Sequence, residues 1–330
     1  MGRNNWNKMN PTFLFLELTK KCPLHCVHCD MWMQQDSINR MDLQRYFEIV
    51  REFSAIGGKT VVICGGETWI HPQFFAVCSF ARSLNLNVFS VTSGITINES
   101  NIKKVITEGP TEVTVSIDHP YAGGHDYMRG VIGTFNKATR AISLINENGG
   151  TVVAMGLITK KTIKLLDEFY ELAFKLNVRL KLNFLQPTFE RHYADCYFKN
   201  NVVQNWDEVE KQLNNIKNKY NIIFNPKWEV ALKAFINGNY KQLEAGWRIP
   251  EYTTDVICNS FERNIMVTQT GMARSCFSAA FPGTQLYQYG DLKKFWNNKE
   301  KQPMCTRPCG ISHSVRAEKC YDLYQISKKH

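Results

Sequence analysis

Between positions 13 and 187 the chain alternates short runs rich in β-branched and aromatic residues with stretches whose apolar residues return every three or four positions. Parallel strands need crossover connections, usually helical, so this alternation marks repeated βα units around a parallel sheet. Six strands are expected, at 13–18, 60–64, 87–91, 112–117, 151–157 and 179–184, with crossover helices at 43–53, 74–84, 135–146 and 163–176. Six units fall short of the eight that close a barrel. The expected fold is α/β, an open, partial (β/α)6 barrel of TIM type with its functional groups at the C-terminal ends of the strands.

After Pro187 the alternation stops. A polar loop containing Cys196 leads to a helical pattern at 206–219, followed by shorter helices at 228–236 and 242–247. From about Asp255 closely spaced Cys, Gly and Pro replace helical periodicity, which points to a loop-rich unit held by metal rather than by a core. The expected division is a tail at 1–12, a barrel at 13–200, a helical bridge at 201–254 and a small unit at 255–330.

With 330 residues and 44% apolar content, the chain has enough to bury one large core or two smaller ones. Its eleven cysteines are odd in number and bunched towards both ends, which favours metal ligation over a disulfide framework. The first ten residues are polar, and the apolar run at 13–16 is too short for a signal sequence or a membrane span. Trp6 stands where myristoylation would want Ser or Thr. A cytoplasmic chain with no membrane partner is expected. The net charge of +10 admits an anionic ligand, but the basic residues are scattered without interleaved aromatics, and nucleic acid is not an expected partner.

Directly after the first strand stand Cys22, Cys26 and Cys29, three thiols within eight residues. Two ligand sets fit that spacing. Three thiolates can hold three irons of a [4Fe–4S] cube and leave the fourth iron open to a small molecule. With His25 or His28 added, the same thiolates complete a zinc tetrahedron.

The triad resembles the cluster motif of the radical S-adenosylmethionine (radical SAM) superfamily, and further matching positions follow in order. Gly65-Gly66-Glu67 ends the second strand, where that family receives the methionine ammonium group. Glycines there permit close backbone approach, and a carboxylate can accept a charge-assisted hydrogen bond. Ser93 within Thr92-Ser93-Gly94, and Ser116 and Asp118 at the end of the fourth strand, are similar to the family's later rim motifs. His125-Asp126 followed by Arg129-Gly130 is similar to a segment of members with extra clusters. The resemblance implies that Arg129 meets the cofactor carboxylate or a substrate anion; an i,i+3 pair with Asp126 is the structural alternative. Gln186 is either an adenine contact or a surface amide. Val27 departs from the family's frequent aromatic, and His119-Pro120 from its usual glycine after Asp118.

Cys258, Gly271 and Cys276 match the opening hairpin of the auxiliary-cluster domains called SPASM and Twitch, with Cys305, Cys309 and Cys320 downstream. The resemblance implies one further [4Fe–4S] cluster on Cys258, Cys276, Cys305 and Cys309, with Cys320 the rival for the last place; a zinc ribbon is the alternative. Cys64 and Cys78 read as small buried hydrophobes. Cys196 is either a hydrogen-atom donor at the barrel mouth or a plain surface thiol.

As a family member the chain would cleave S-adenosylmethionine reductively to a 5′-deoxyadenosyl radical that removes a substrate hydrogen atom, with an external electron donor such as flavodoxin or ferredoxin. The substrate is a small metabolite, an anionic one suiting the charge, or a ribosomal peptide to be crosslinked or epimerised. The start of the first strand by Phe13 leaves no room for an N-terminal peptide-recognition domain and tilts the expectation to the metabolite. The rival class is a non-catalytic zinc protein that contacts nucleic acid, and Gly65-Gly66-Glu67 argues against it.

Overall fold

The computed structural model describes residues 10–185, 192–224, 226–244, 263–276 and 283–298. Strands β1 (Phe13–Thr19), β2 (Thr60–Gly65), β3 (Asn87–Thr92), β4 (Glu112–Ile117), β5 (Val152–Ile158) and β6 (Arg179–Phe184) run parallel and pair in chain order. Helices α1 (Leu43–Ala55), α2 (Phe74–Ser83), α3 (Ile102–Glu108), α4 (Ala122–Arg129), α5 (Thr134–Glu147) and α6 (Leu166–Lys175) connect them. Among the described strands β6 pairs only with β5, so the barrel is open, as expected.

Strand alternation builds the two faces. Leu14, Leu16, Val61, Ile63, Val88 and Val115 are fully buried against Tyr46, Phe53, Phe74 and Ile142 of the helices. The intervening Phe15, Val62, Cys64, Phe89 and Met155 fall on the opposite, concave face and are only partly buried.

Four features departed from the sequence pattern. Helix α4 carries two glycines and little apolar period, and α3 has only seven residues; neither was expected. The stretch around Cys196 is a helix, α7 (His192–Asn201), not a loop. After α8 (Trp206–Tyr220), the two short helices expected further on are one, α9 (Pro226–Glu244), which runs through Gly238 because Leu232, Phe235 and Ile236 are buried. Beyond it β7 (Asn264–Val267) adds in parallel to the free edge of β1, and β8 (Met272–Arg274) and β9 (Thr284–Gln285) extend the sheet antiparallel. Gly271 makes the β7–β8 turn at φ +82°, in the left-handed region.

Helix α10 (Asp291–Asn297) docks on α1 through Glu52. This buried carboxylate accepts the N–H groups of Leu292 (3.0 Å) and Lys293 (3.3 Å), two donors that a helix N-terminus leaves over. No helix among the described residues is long and apolar enough to cross a membrane.

Candidate active site

The triad loop leaves β1 at the C-terminal end of the barrel and is held on both sides. At its root Gly66 donates to the carbonyl of Thr19 (2.8 Å) and Glu67 to that of Lys21 (2.9 Å). Along its length His25 donates to the carbonyl of Arg129 and Val27 to that of Met128, both at 3.1 Å. The Asp36 carboxylate closes the loop, accepting from the Thr19 hydroxyl (2.9 Å) and the Lys20 N–H (2.7 Å). Two glycines make this packing possible. A Cβ on Gly66 would lie 2.2 Å from the Lys21 oxygen, and one on Gly130, at φ +69°, would lie 2.4 Å from the His25 oxygen. The sequence suggested that the glycine pair admits a ligand; here it admits the backbone of the cysteine loop.

Glu67 is buried and joins two of the rim motifs. Its carboxylate accepts from the Thr92 hydroxyl (2.8 Å), the Ser93 N–H (2.9 Å) and the Ser93 hydroxyl. A carboxylate has about four acceptor sites, so roughly one is left for an incoming ammonium. Ser116 lies on the concave face of β4, in register with Met155.

Asp118 and Arg129 form the charged centre of the site. Arg129 Nη2 donates to Asp118 Oδ1 at 2.9 Å, and Nε lies 2.7 Å from Oδ2. Nη1 reaches the Cys26 Sγ at 3.8 Å. His28 Nε2 stands 3.6 Å from the same Asp118 carboxylate, and the Asp118 N–H donates to His125 Nδ1 at 3.1 Å. Arg129 therefore does not pair with Asp126. That carboxylate caps α5 instead, accepting from Gly133 N–H (2.6 Å), Phe135 N–H (2.8 Å) and the Thr134 hydroxyl (2.8 Å).

Burial governs the titration of these groups. It pushes the Cys26 thiol up to about 12 against the opposing Arg129, and drives the His125 imidazole down to about 4 against the opposing Asp118. His28 is also lowered by burial, with Asp118 opposing. Burial alone would raise Asp118, but Arg129 and the two histidines outweigh it and hold the carboxyl below its usual range.

The segment around Cys196, expected at the barrel mouth as a loop, reaches the site as helix α7 and does so through Tyr197, which the sequence did not signal. Tyr197 lies 6.3 Å, ring to ring, from His28 and packs with Val27 against Phe198, Leu185 and Met128. Its neighbour Cys196 is exposed on that helix, and its thiol is not shielded from water. Cys64 stands opposite Glu17 on the concave face and is only partly buried, unlike Cys78, which is fully buried in the core. His119 Nδ1 accepts the Tyr121 N–H at 3.2 Å, and its ring fills the space beside Gly124. Gln186, Cys258, Cys305, Cys309 and Cys320 lie outside the described residues; Cys276 follows β8 and is half-buried.

Residues 16–173 match the family model of the radical SAM superfamily. Over this stretch the chain is similar to that superfamily. Mycofactocin maturase MftC of Mycolicibacterium smegmatis is 28% identical to this chain over 179 residues, 54% of this chain and 45% of that protein. The AdoMet-dependent heme synthase of Methanosarcina barkeri is 26% identical over 181 residues, 54% of this chain and 52% of the synthase. The chain thus spans about half the length of these relatives. The solved structure of Streptococcus suis SuiB bound to precursor peptide SuiA shares the fold, with a TM-score of 0.66 at 13% identity over 88% of this chain and 66% of that one.

Among the described residues no three Cys, His, Asp or Glu side chains already converge as a metal cage. The donor set nevertheless fits the cluster that likeness to the radical SAM superfamily implies. Cys22, Cys26 and Cys29 share one clamped loop, and burial, with a smaller contribution from the neighbouring thiols, raises the Cys22 and Cys26 pKa values. Of the loop histidines, His25 packs edge-on against Trp32 (4.9 Å) and His28 turns its Nε2 to Asp118.

Proposed function

We propose that this chain is a radical SAM enzyme whose Cys22, Cys26 and Cys29 hold a [4Fe–4S] cluster with one open iron. The observation that carries this reading is the joining of the cysteine loop to Glu67, whose N–H is bonded to the residue before Cys22 and whose buried carboxylate retains acceptor capacity. When bound, the cluster and S-adenosylmethionine supply a 5′-deoxyadenosyl radical that removes a hydrogen atom from the substrate.

The chain's own residues bind and orient. The edge formed by Gly65, Gly66 and Glu67, fixed by Ser93, receives the cofactor ammonium. Arg129 donates one N–H from Nη2 to Asp118 and one from Nη1 to Cys26, which leaves the second N–H of each terminal nitrogen for the cofactor carboxylate. Ser116 adds a hydroxyl on the concave face, and Gln186 is assigned to the adenine. That face shields the substrate from water and holds its C–H bond near the radical carbon. An external carrier such as flavodoxin or ferredoxin delivers the electron. Cys276 with Cys258, Cys305 and Cys309 binds an auxiliary [4Fe–4S] cluster in a Twitch-like unit, with Cys320 as the alternative fourth ligand.

A small anionic metabolite is the first substrate reading, in keeping with the net charge of +10. A peptide substrate is the second reading, favoured by the likeness to mycofactocin maturase. Anaerobic assays for 5′-deoxyadenosine test both. Production above the uncoupled background with anionic metabolites supports the first reading, and production only with peptides encoded beside the gene replaces it with the second.

A further inference from the structure

We infer that Arg129 supports the Cys26 ligand of the cluster, and that Asp118 is a positioning residue acting through Arg129 rather than a contact to S-adenosylmethionine. This rests on the functional reading above. A guanidinium is planar, so two contacts to one carboxylate fix both its place and its plane. Asp118 makes one as a hydrogen bond from Nη2 to Oδ1 at 2.9 Å and the other as a 2.7 Å ion contact of Oδ2 with Nε, and the remaining terminal nitrogen then points at Cys26 Sγ, 3.8 Å away.

Both partners are themselves held. The Asp118 N–H is bonded to His125 and its carboxylate faces His28, so β4, α4 and the cysteine loop meet at this residue. The carbonyl of Arg129 accepts the His25 N–H, and Gly130 turns the chain directly afterwards. Asp118 is 3% exposed, Cys26 5% and Arg129 9%, so little water screens the three. With its carboxylate engaged in this way, Asp118 is poorly placed to receive the cofactor.

A cation fixed beside a ligand thiolate favours the extra electron of the reduced cluster. Arg129→Gln should therefore make the site cluster harder to reduce, by about tenfold in the equilibrium constant, or about 59 mV for a one-electron couple. The experiment is a redox titration of the anaerobically assembled full chain without S-adenosylmethionine, followed by electron paramagnetic resonance. The site cluster is the signal lost when Cys22, Cys26 and Cys29 are all replaced by Ala. In the Asp118→Asn background the fall caused by Arg129→Gln should be smaller, because the arginine is no longer aimed.

An unchanged potential in Arg129→Gln overturns the inference, and so do strictly additive shifts in the double variant. Should Arg129→Gln fail to assemble a cluster, Arg129→Lys carries the measurement. It keeps the charge but loses the fork, and a smaller fall in the same direction is expected, with no fall overturning the inference. A wild-type chain without a triad-dependent cluster overturns the functional reading as well, whereas a normal cluster with an unshifted potential overturns this inference alone.

Discussion

The N–H of Glu67 donates to the carbonyl of Lys21 at 2.9 Å, so the motif that ends β2 is bonded to the chain one residue before the first cysteine of the triad. Two segments 46 positions apart in the sequence thereby become one rim. Both glycines before Glu67 serve that contact, because a side chain on either would strike backbone oxygen of residues 19–21.

Gly66→Ala tests the contact. Its Cβ would meet the Lys21 and Lys20 oxygens at 2.2 and 2.6 Å, and these are backbone atoms that cannot swing aside. Overpacking of this kind costs about 1–3 kcal/mol. Thermal denaturation should show the loss, and the assembled protein should retain less iron; full stability with full iron would refute the clamp.

Glu67→Ala should act on stability and on ligand binding together. It strands the Thr92 hydroxyl and the Ser93 N–H, which are buried donors, at about 1–3 kcal/mol. It also removes the acceptor assigned to the cofactor ammonium, so affinity for S-adenosylmethionine should fall about ten- to a hundredfold. Calorimetric titration reads the second effect, and unchanged affinity would remove Glu67 from the binding site.

Glu52→Ala should loosen the segment after β7 while sparing the barrel. Its carboxylate satisfies the N–H groups of Leu292 and Lys293, one buried donor and one part-buried, and leaving the buried one unmet costs about 1–3 kcal/mol. Hydrogen exchange should rise in α10 more than in β1–β6, whereas Glu52→Gln, which keeps an acceptor, should change it less. Equal exchange in wild type and Glu52→Ala would contradict the tether.

Acid should destabilise the fold through His125. Its folded pKa is depressed to about 4 by burial, against about 6.5 unfolded, so the unfolded chain binds more protons between those values. The contribution is full above about pH 6.5 and is lost at up to about 1.4 kcal/mol per unit as pH falls towards 4. His125→Gln keeps an acceptor for the Asp118 N–H and should flatten part of this slope in urea denaturation at pH 7.5 to 4.5. An identical slope would show that the imidazole is not held neutral.

The barrel was legible because its strands are bounded by helical periodicity; β4 and β6 begin and end where the pattern placed them, β1, β2 and β3 each run one residue further, and β5 is shifted by one residue at both ends. Helix α4 was not legible, since Gly123 and Gly124 depress its propensity and its contacts lie with the cysteine loop rather than along its own apolar stripe. The pairing of Asp118 with Arg129 escaped for a related reason: spacing alone offered Asp126 as the nearer partner, but three donors at the start of α5 take that carboxylate. Strand β7 is four residues long and owes its place to pairing with β1, a long-range contact that local pattern does not carry. The reach of α7 to His28 depends on Tyr197 in the same way.

The central claim is that Cys22, Cys26 and Cys29 hold the cluster at which S-adenosylmethionine is cleaved. Its most direct test is to assemble the wild-type chain and a Cys22→Ala, Cys26→Ala, Cys29→Ala triple variant with iron and sulfide under anaerobic conditions. Each is then reduced with dithionite beside S-adenosylmethionine, and 5′-deoxyadenosine is quantified by chromatography. The wild type should produce it, and the triple variant should produce none while losing about four irons per chain. Production by the triple variant, or none by an iron-loaded wild type, would contradict the account.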